Sequence, residues 1–281
     1  MKNILIPTDF SENAQDALSY ALAFEHGEEV MFHIFHAVQP VMISADGVMV
    51  ENITMTQDLV KNVNLNLDAL KLFSKNYFEE NNLSNFKIDT DALVGDTVKL
   101  IKQKAEDVNA EMIIMGTNGA GHSNFERLFG TVTTSLLNHA TCPIILIPLG
   151  YKYKEIDNII FSTNLMVDDS YSLWKAFNLI EPHTPLVRFL HVKQSDVSNH
   201  EKKLEEFKNY ILDTSPAIST HFHVETGDDP EDIFENYAMK YEAEMIIMAK
   251  KRKNIYQRLV NPNLTRKVLN KLKFVPLMII N

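Results

Sequence analysis

A cluster of glycines follows a short apolar run in the first half of the chain. The apolar run covers residues 112–115, the segment GTNGAG covers residues 116–121, and Gly130 and Thr131 open the next amphipathic stretch. Because glycine has no Cβ, backbone N–H groups at such a turn can approach an anion, and a Thr hydroxyl beside a helix start adds a further donor. The pattern favours a phosphate-binding turn, with a turn that serves only chain geometry as the alternative.

Asp9 is a second residue whose type suggests chemistry, because it follows the apolar residues 3–7 and precedes a candidate helix cap, Ser11. A carboxylate there can help to cap the helix, accept a hydrogen bond from a sugar hydroxyl or an amine, or hold Mg²⁺ through water. We favour the contact with a sugar or a base. The glycine segment lacks the Lys-Ser/Thr ending of a P-loop, and residues 7–12 contain no glycine, so P-loop NTPases and Rossmann dehydrogenases are not favoured.

Elements that would position these residues follow from the alternation of short apolar runs with longer amphipathic stretches. The runs are too brief for helices and too continuous for half-exposed strands, so they are typical of a parallel sheet that is covered on both faces. This alternation predicts a doubly wound α/β sheet of about five strands, with ligands at the carboxyl ends of the strands. The apolar runs cover residues 3–7, 30–38, 86–94, 112–115 and 144–148, and the helical stretches cover residues 11–24, 97–108 and 133–139.

The chain contains an internal repeat. NILIPTD at residues 3–9 matches NIIFSTN at residues 158–164, and AEMIIM at residues 110–115 matches the same six letters at residues 243–248. The offset falls from 155 at His36 to 132 at Gly95, so the first copy carries an insertion of about 23 residues between these two positions. We therefore expect two copies of one domain, at residues 1–150 and 151–281.

The first copy resembles a universal stress protein domain. The resemblance rests on IPTDFSE at residues 6–12, His36 near the end of the second strand, MGTNG at residues 115–119, ERLFGT at residues 126–131 and ATCPIILIP at residues 140–148. The second copy resembles the family in the order of its strands only. The whole chain thus resembles a tandem universal stress protein, which implies two flavodoxin-like or adenine-nucleotide-hydrolase-like α/β domains.

The resemblance implies that the first domain binds ATP or a related adenine nucleotide, with or without Mg²⁺. The ATP-binding branch of the family carries Gly-x2-Gly-x9-Gly-Ser/Thr, whereas ten residues separate Gly119 from Gly130 here. The extra residue either is absorbed in the turn or distorts the phosphate cradle. Carried over by position, the adenine and ribose would meet Pro7, Thr8, Asp9 and Ala37, and the phosphates would meet Met115, Gly116, Asn118, Gly119, Gly130, Thr131 and Val132.

The predicted function is a stress-response or signalling protein that binds this nucleotide with little or no catalysis. No residue is assigned as catalytic, and slow ATP hydrolysis stays open. The alternatives are an interaction scaffold with an empty pocket and an enzyme that acts on an adenylate. Nucleotide that is retained through purification would favour the first over the second, and turnover abolished by Asp9→Ala would favour the third.

The second copy lacks the glycine segment. Ala249 stands where Gly116 stands in the first copy, Asn164 replaces Asp9, and residues 250–253, directly after Ala249, read KKRK. We expect no nucleotide there by the same mode. The basic residues after Ala249 could grip another anion, but a solvated charge run in a degenerate packing domain is the favoured interpretation.

Charge and composition limit the classes of partner and the cellular location that we expect. Residues 1–150 hold 9 basic and 19 acidic residues, whereas residues 151–281 hold 18 of each. The net charge of −10 argues against nucleic acid as the main ligand, and no apolar run is long enough for a membrane span. We expect a cytoplasmic protein whose two domains pair within the chain, and a homodimer stays open. His221 and His223 share a strand face, but no third ligand accompanies them, so no metal site is predicted.

The insertion carries an apolar segment at residues 41–55. We favour packing against the neighbouring domain for this segment, with a lid over the first-domain site as the alternative.

Overall fold

The computed structural model describes residues 1–25, 29–117, 130–163, 165, 170–193, 200–214, 218–227, 230–249 and 275–280. Within these residues the chain divides into two compact units, one up to residue 144 and one from residue 145 onward. No helix in these ranges is both long enough and apolar enough to cross a membrane.

The first unit is a parallel sheet with helices, as predicted. Its strands lie in the order β5-β2-β1-β6, so the strand order reverses at β1, between β2 and β6. The N–H of Ile113 in β6 donates to the carbonyl of Pro143, the residue before β7 (2.9 Å). The elements are β1 (Lys2–Pro7), α1 (Glu12–Phe24), β2 (Val30–Val38), β3 (Met42–Ala45), β4 (Val48–Glu51), α2 (Ile53–Glu80), β5 (Phe86–Val94), α3 (Thr97–Asp107), β6 (Met112–Gly116), α4 (Thr131–His139) and β7 (Ile144–Ile147), whose first residue closes the unit.

The second unit repeats this strand order as β10-β9-β8-β11-β12. The fold prediction of two doubly wound α/β domains is therefore confirmed. Its elements are β8 (Asn158–Ser162), α5 (Ser170–Ile180), a 3-10 turn (Glu181–His183), β9 (Leu186–Lys193), α6 (His200–Thr214), β10 (Ser219–Thr226), α7 (Pro230–Lys240), β11 (Met245–Ala249) and β12 (Leu277–Ile280).

Central strands are buried on both faces. Ile4, Leu5 and Ile6 are consecutive in β1, and each has no exposed surface. This consecutive burial is the physical reason why these strands read as continuous apolar runs. Helix α1 packs on β1 and β6, while α3 packs on β1 and β2.

The insertion forms a hairpin and a longer helix. Helix α2 has 28 residues and its counterpart α6 has 15, and the antiparallel strands β3 and β4 with their turn span residues 42–51. All four residues of β4 are exposed, with Val48 at 61% and Met49 at 60%. Packing of this segment against the neighbouring domain stays a prediction.

Candidate functional site

A cavity of about 480 Å³ opens at the carboxyl ends of β1, β2 and β6, where the strand order reverses. This is the place at which doubly wound sheets bind ligands. Two of the residues predicted for the site, Asn118 and Gly119, lie outside the described residues. The other nine all line this cavity: Pro7, Thr8, Asp9, Ala37, Met115, Gly116, Gly130, Thr131 and Val132.

The turn after β1 holds Asp9 by local hydrogen bonds. Its Oδ1 accepts from the Ser11 hydroxyl (2.6 Å) and from the Ser11 N–H (3.1 Å). Ser11 in turn caps α1, because its Oγ accepts from the Ala14 N–H (3.2 Å). Asp9 therefore supports the helix start and also faces the cavity, so its role at the cap is compatible with the ligand contact that the sequence predicts.

His36 fixes the same turn from the neighbouring strand. Its Nδ1 lies 2.7 Å from the Thr8 carbonyl oxygen, and because a carbonyl can only accept, Nδ1 carries the proton. The imidazole also stacks on Phe10, with ring centroids 4.8 Å apart. Phe10 adopts a φ of 63°, in the left-handed region, which costs on the order of 1 kcal/mol or more for a residue other than glycine. These contacts hold the strained turn in place.

Gly116 packs against α1 more closely than any side chain would allow. A Cβ at this position would lie 2.6 Å from Asn13 Oδ1 and 3.0 Å from the Asn13 carbonyl oxygen. Asn13 is buried and accepts a hydrogen bond from the Thr117 hydroxyl (3.3 Å). The sequence suggests open backbone for an anion as the reason for this glycine, and the structure adds the contact with Asn13 as a second reason.

Two hydrogen bonds join the start of α4 to the residue that follows β6. The Gly130 N–H and the Thr133 hydroxyl both donate to the Thr117 carbonyl, at 3.0 Å and 3.3 Å. The segment with the extra residue lies between these anchors, outside the described residues, so its effect on the cradle stays a prediction.

Helix α4 begins at the cavity without a side-chain cap, because its N-cap residue is Gly130. The first N–H groups of a helix lack intrahelical acceptors and carry partial positive charge, which suits an anion. Among the described lining residues, Asp9 is the one with a carboxylate and none has a Lys or Arg side chain. The described part of the cavity would therefore bind phosphate by backbone groups and the Thr131 hydroxyl, and not by cationic side chains.

Half of the lining was missed by the sequence reasoning. Thr97 and Ile101 come from α3 and Leu59 comes from α2, and these helices carry no motif that would have indicated a ligand. His36 was noted in the motif but was not placed in the site. The remaining missed residues are Ala14, Phe35, Val38, Gln39 and Thr133.

The second unit keeps the turn but not the glycine. His191 Nδ1 lies 2.9 Å from the Thr163 carbonyl oxygen, and the Leu165 N–H donates to Thr163 Oγ1 (3.0 Å), as the Phe10 N–H does to Thr8 Oγ1 (3.0 Å). Leu165 also has a positive φ, of 57°. The predictions made for Asn164 and for residues 250–253 lie outside the described residues.

The described ranges contain no group of three or more His, Cys, Asp or Glu side chains that could hold a metal ion. The rings of His221 and His223 lie 6.4 Å apart on β10.

Comparison with known proteins identifies the family. The model of the universal stress protein family matches residues 1–148. Universal stress protein MJ0577 of Methanocaldococcus jannaschii is 28% identical over 155 residues, which cover 52% of this chain and 94% of that protein. The Na⁺/H⁺ antiporter NhaS5 of Synechocystis is 26% identical over 221 residues, which cover 75% of this chain but only 29% of the antiporter.

A solved structure supports the fold of the whole chain. The universal stress protein of Archaeoglobus fulgidus superposes with a TM-score of 0.68 at 17% identity, and the match covers 99% of this chain and 96% of that one. At this identity the likeness concerns the fold alone. Because the family model covers more than half of its 281 residues, the chain belongs to the universal stress protein family.

Proposed function

We propose that the first unit binds ATP or a related adenine nucleotide and that the protein acts in stress response or signalling with little or no catalysis. The observation that carries this proposal is the cavity at the strand reversal, where the turn after β1 and the uncapped start of α4 face the same space. Its size, about 480 Å³, lies in the range of small-molecule sites.

The lining divides by chemistry between the elements. Apolar side chains come from β2, α2 and α3, namely Val38, Leu59 and Ile101, and they suit a purine ring. Donors come from the start of α4, where Thr131 is the first helical residue, and they suit phosphates. Asp9 supplies an acceptor for a ribose hydroxyl, or for water on Mg²⁺ if the metal accompanies the nucleotide.

Little or no catalysis is part of the proposal because no residue is assigned as the general base for an attacking water. The bonds from Ser11 to Asp9 Oδ1 and from His36 Nδ1 to the Thr8 carbonyl give these two atoms a role in holding the turn. A general base must lie within hydrogen-bond reach of the proton that it takes. A cytoplasmic location, pairing of the domains and pairing of two chains stay predictions from the sequence.

Calorimetric titration of the purified chain with ATP and with adenosine tests the proposal. Thr131→Val removes one hydroxyl at the helix start, and we expect ATP to bind about tenfold more weakly or worse, since a hydrogen bond to a charged group contributes about 1.5–3 kcal/mol. Adenosine, which has no phosphate, should bind equally well to both proteins. Thr134→Val is the matched control, because Thr134 lies on the same helix and is not among the lining residues.

The outcomes separate the three classes of function. A heat of binding with ATP that is smaller for Thr131→Val than for the parent chain would support the proposal. No heat with any purine nucleotide would contradict it and favour a scaffold. Steady ATP turnover that Asp9→Ala abolishes would favour an enzyme.

A further inference from the structure

A group of cationic and aromatic side chains lies on one sheet face of the second unit, between β9, β10 and α7. Tyr241 is at its centre, with the guanidinium carbon of Arg188 4.1 Å and the ammonium of Lys240 5.1 Å from its ring centroid. The His223 ring lies 5.8 Å from the same ring and 5.1 Å from that of Tyr237. We call this group the β10 cluster, and its members are Arg188, His221, His223, Tyr237, Lys240 and Tyr241.

The cations of the β10 cluster make no close ion pair in the described part of the chain. No carboxylate there lies within 4.0 Å of Arg188, Lys240 or either imidazole. Glu225, on the same face of β10 as His221 and His223, interacts with His223 over a longer distance. Arg188 has five N–H donors, of which one makes a long hydrogen bond of 3.5 Å to Asn158 Oδ1. Its Nε is buried and has no acceptor. A buried donor without an acceptor is costly, so an acceptor that a ligand supplies would stabilise this arrangement.

At the corresponding place in the first unit, basic side chains lie close to carboxylates. The strand register pairs His33 with Asp89 there, and Arg188 with His221 here, so these positions correspond. In the first unit the Lys104 ammonium lies 2.8 Å from Asp91, and His33 Nδ1 lies 3.7 Å from Asp89.

Alignment of the two copies shows that acidic residues of the first are replaced by basic residues in the second. Asp89 and Asp91 are replaced by His221 and His223, and Asp107 is replaced by Lys240. Three acids thus give way to two imidazoles and an ammonium, while Glu225, where the first copy has Leu93, is the acid that this face of β10 gains.

We propose that the β10 cluster binds a small phosphate-bearing anion. A guanidinium, an ammonium and two imidazoles are four separate donors around one patch, which suits the several oxygens of a phosphoryl group better than a single carboxylate. The ring of Tyr241 holds both Arg188 and Lys240, so these charges are positioned before a ligand arrives. This inference goes beyond the proposed function, because it concerns the unit for which no nucleotide is proposed.

The imidazole NMR signals of His221 and His223 in the full chain provide a local readout. Inorganic phosphate and pyrophosphate are added at constant ionic strength, with chloride as the reference anion. We expect both phosphates to shift these signals to saturation and chloride to leave them unchanged. A readout at the imidazoles distinguishes this site from phosphate that binds in the first unit.

Paired variants test the named side chains. Lys240→Gln, at an exposed position, should weaken phosphate binding about tenfold, as loss of one charge-assisted hydrogen bond predicts. Arg188→Gln should weaken it at least as much, and Arg188→Lys should restore part of the affinity. Lys208→Gln is the matched control, because Lys208 lies 5.7 Å from the ring of Phe222, which alternates with His221 and His223 on β10 and so faces the other side of the sheet.

Three results would overturn the proposal. One is the absence of a saturable shift with either phosphate, and another is an equal shift with chloride. The third is binding of a phosphoserine peptide without binding of the free phosphates, which would make a phosphorylated protein the ligand.

Discussion

At the scale of single residues, Gly116 shows that one position can satisfy two requirements. The sequence could indicate that glycine matters after β6, because the turn is rich in glycine. It could not indicate the contact with Asn13, since the two residues are far apart in the chain and meet only when α1 packs beside β6. If replacement of Gly116 weakens ligand binding, the loss would therefore combine two causes, the covered backbone and the clash with Asn13.

Gly116→Ala should destabilise the first unit. The new Cβ would lie 2.6 Å from Asn13 Oδ1, and relief of such a clash costs about 1–3 kcal/mol. Urea unfolding of Gly116→Ala, Asn13→Ala and the double variant measures the coupling, and the double variant should lose less stability than the sum of the single ones. Equal stability of Gly116→Ala and the parent chain would show that the glycine serves the ligand alone.

At the scale of elements, the strands and helices that frame the site could be predicted because each carries one clear hydrophobic period. The hairpin of β3 and β4 was missed, although the sequence contains a signal for it. Asp46 and Gly47 adopt φ values of 49° and 79°, and an Asp-Gly pair with two positive φ values is typical of a two-residue hairpin turn. The signal was overlooked because exposed apolar residues in β4 suggest packing more than a solvated strand.

The free energy of unfolding should depend on pH through His33, which lies on β2 and pairs with Asp89 on β5. Burial lowers the pKa of His33 below its ordinary value of 6.5, with Lys104 acting in the same direction and Asp89 opposing it. The unfolded chain therefore takes up a proton before the folded one does, so the contribution of neutral His33 is complete above pH 6.5 and is lost as the pH falls through the lowered pKa.

Comparison of the parent chain with His33→Gln isolates this effect. The difference in unfolding free energy between the two proteins should shrink below pH 6.5. A difference that does not change with pH would contradict the assignment, as would an NMR titration that gives His33 its ordinary pKa.

At the scale of the whole molecule, the two units have one strand order and different chemistry. The repeat could be recognised from matching letters, and the contacts within the chain divide near residue 145. The domain bounds at residues 1–150 and 151–281 stay predictions. The two units differ at several positions that the proposed site uses, such as Gly116 against Ala249.

We expect one nucleotide per chain. The proposed site in the first unit uses the start of α4 and the backbone beside Gly116, whereas Ala249 stands at the matching position of the second unit. Calorimetry should give a stoichiometry near one, and hydrogen exchange with saturating ATP should protect the turn after β1 but not the turn after β8. Two bound nucleotides per chain would show that the second unit is not degenerate.

The turn shared by the two units has a consequence for how variants are understood. The histidine bond to the threonine carbonyl occurs in both units, although only the first has the glycine at the end of β6, where the second has Ala249. His36 and Thr8 thus belong to the shared scaffold of both copies, whatever else they touch. Weaker nucleotide binding after replacement of either residue would therefore indicate a misfolded loop as readily as a lost ligand contact.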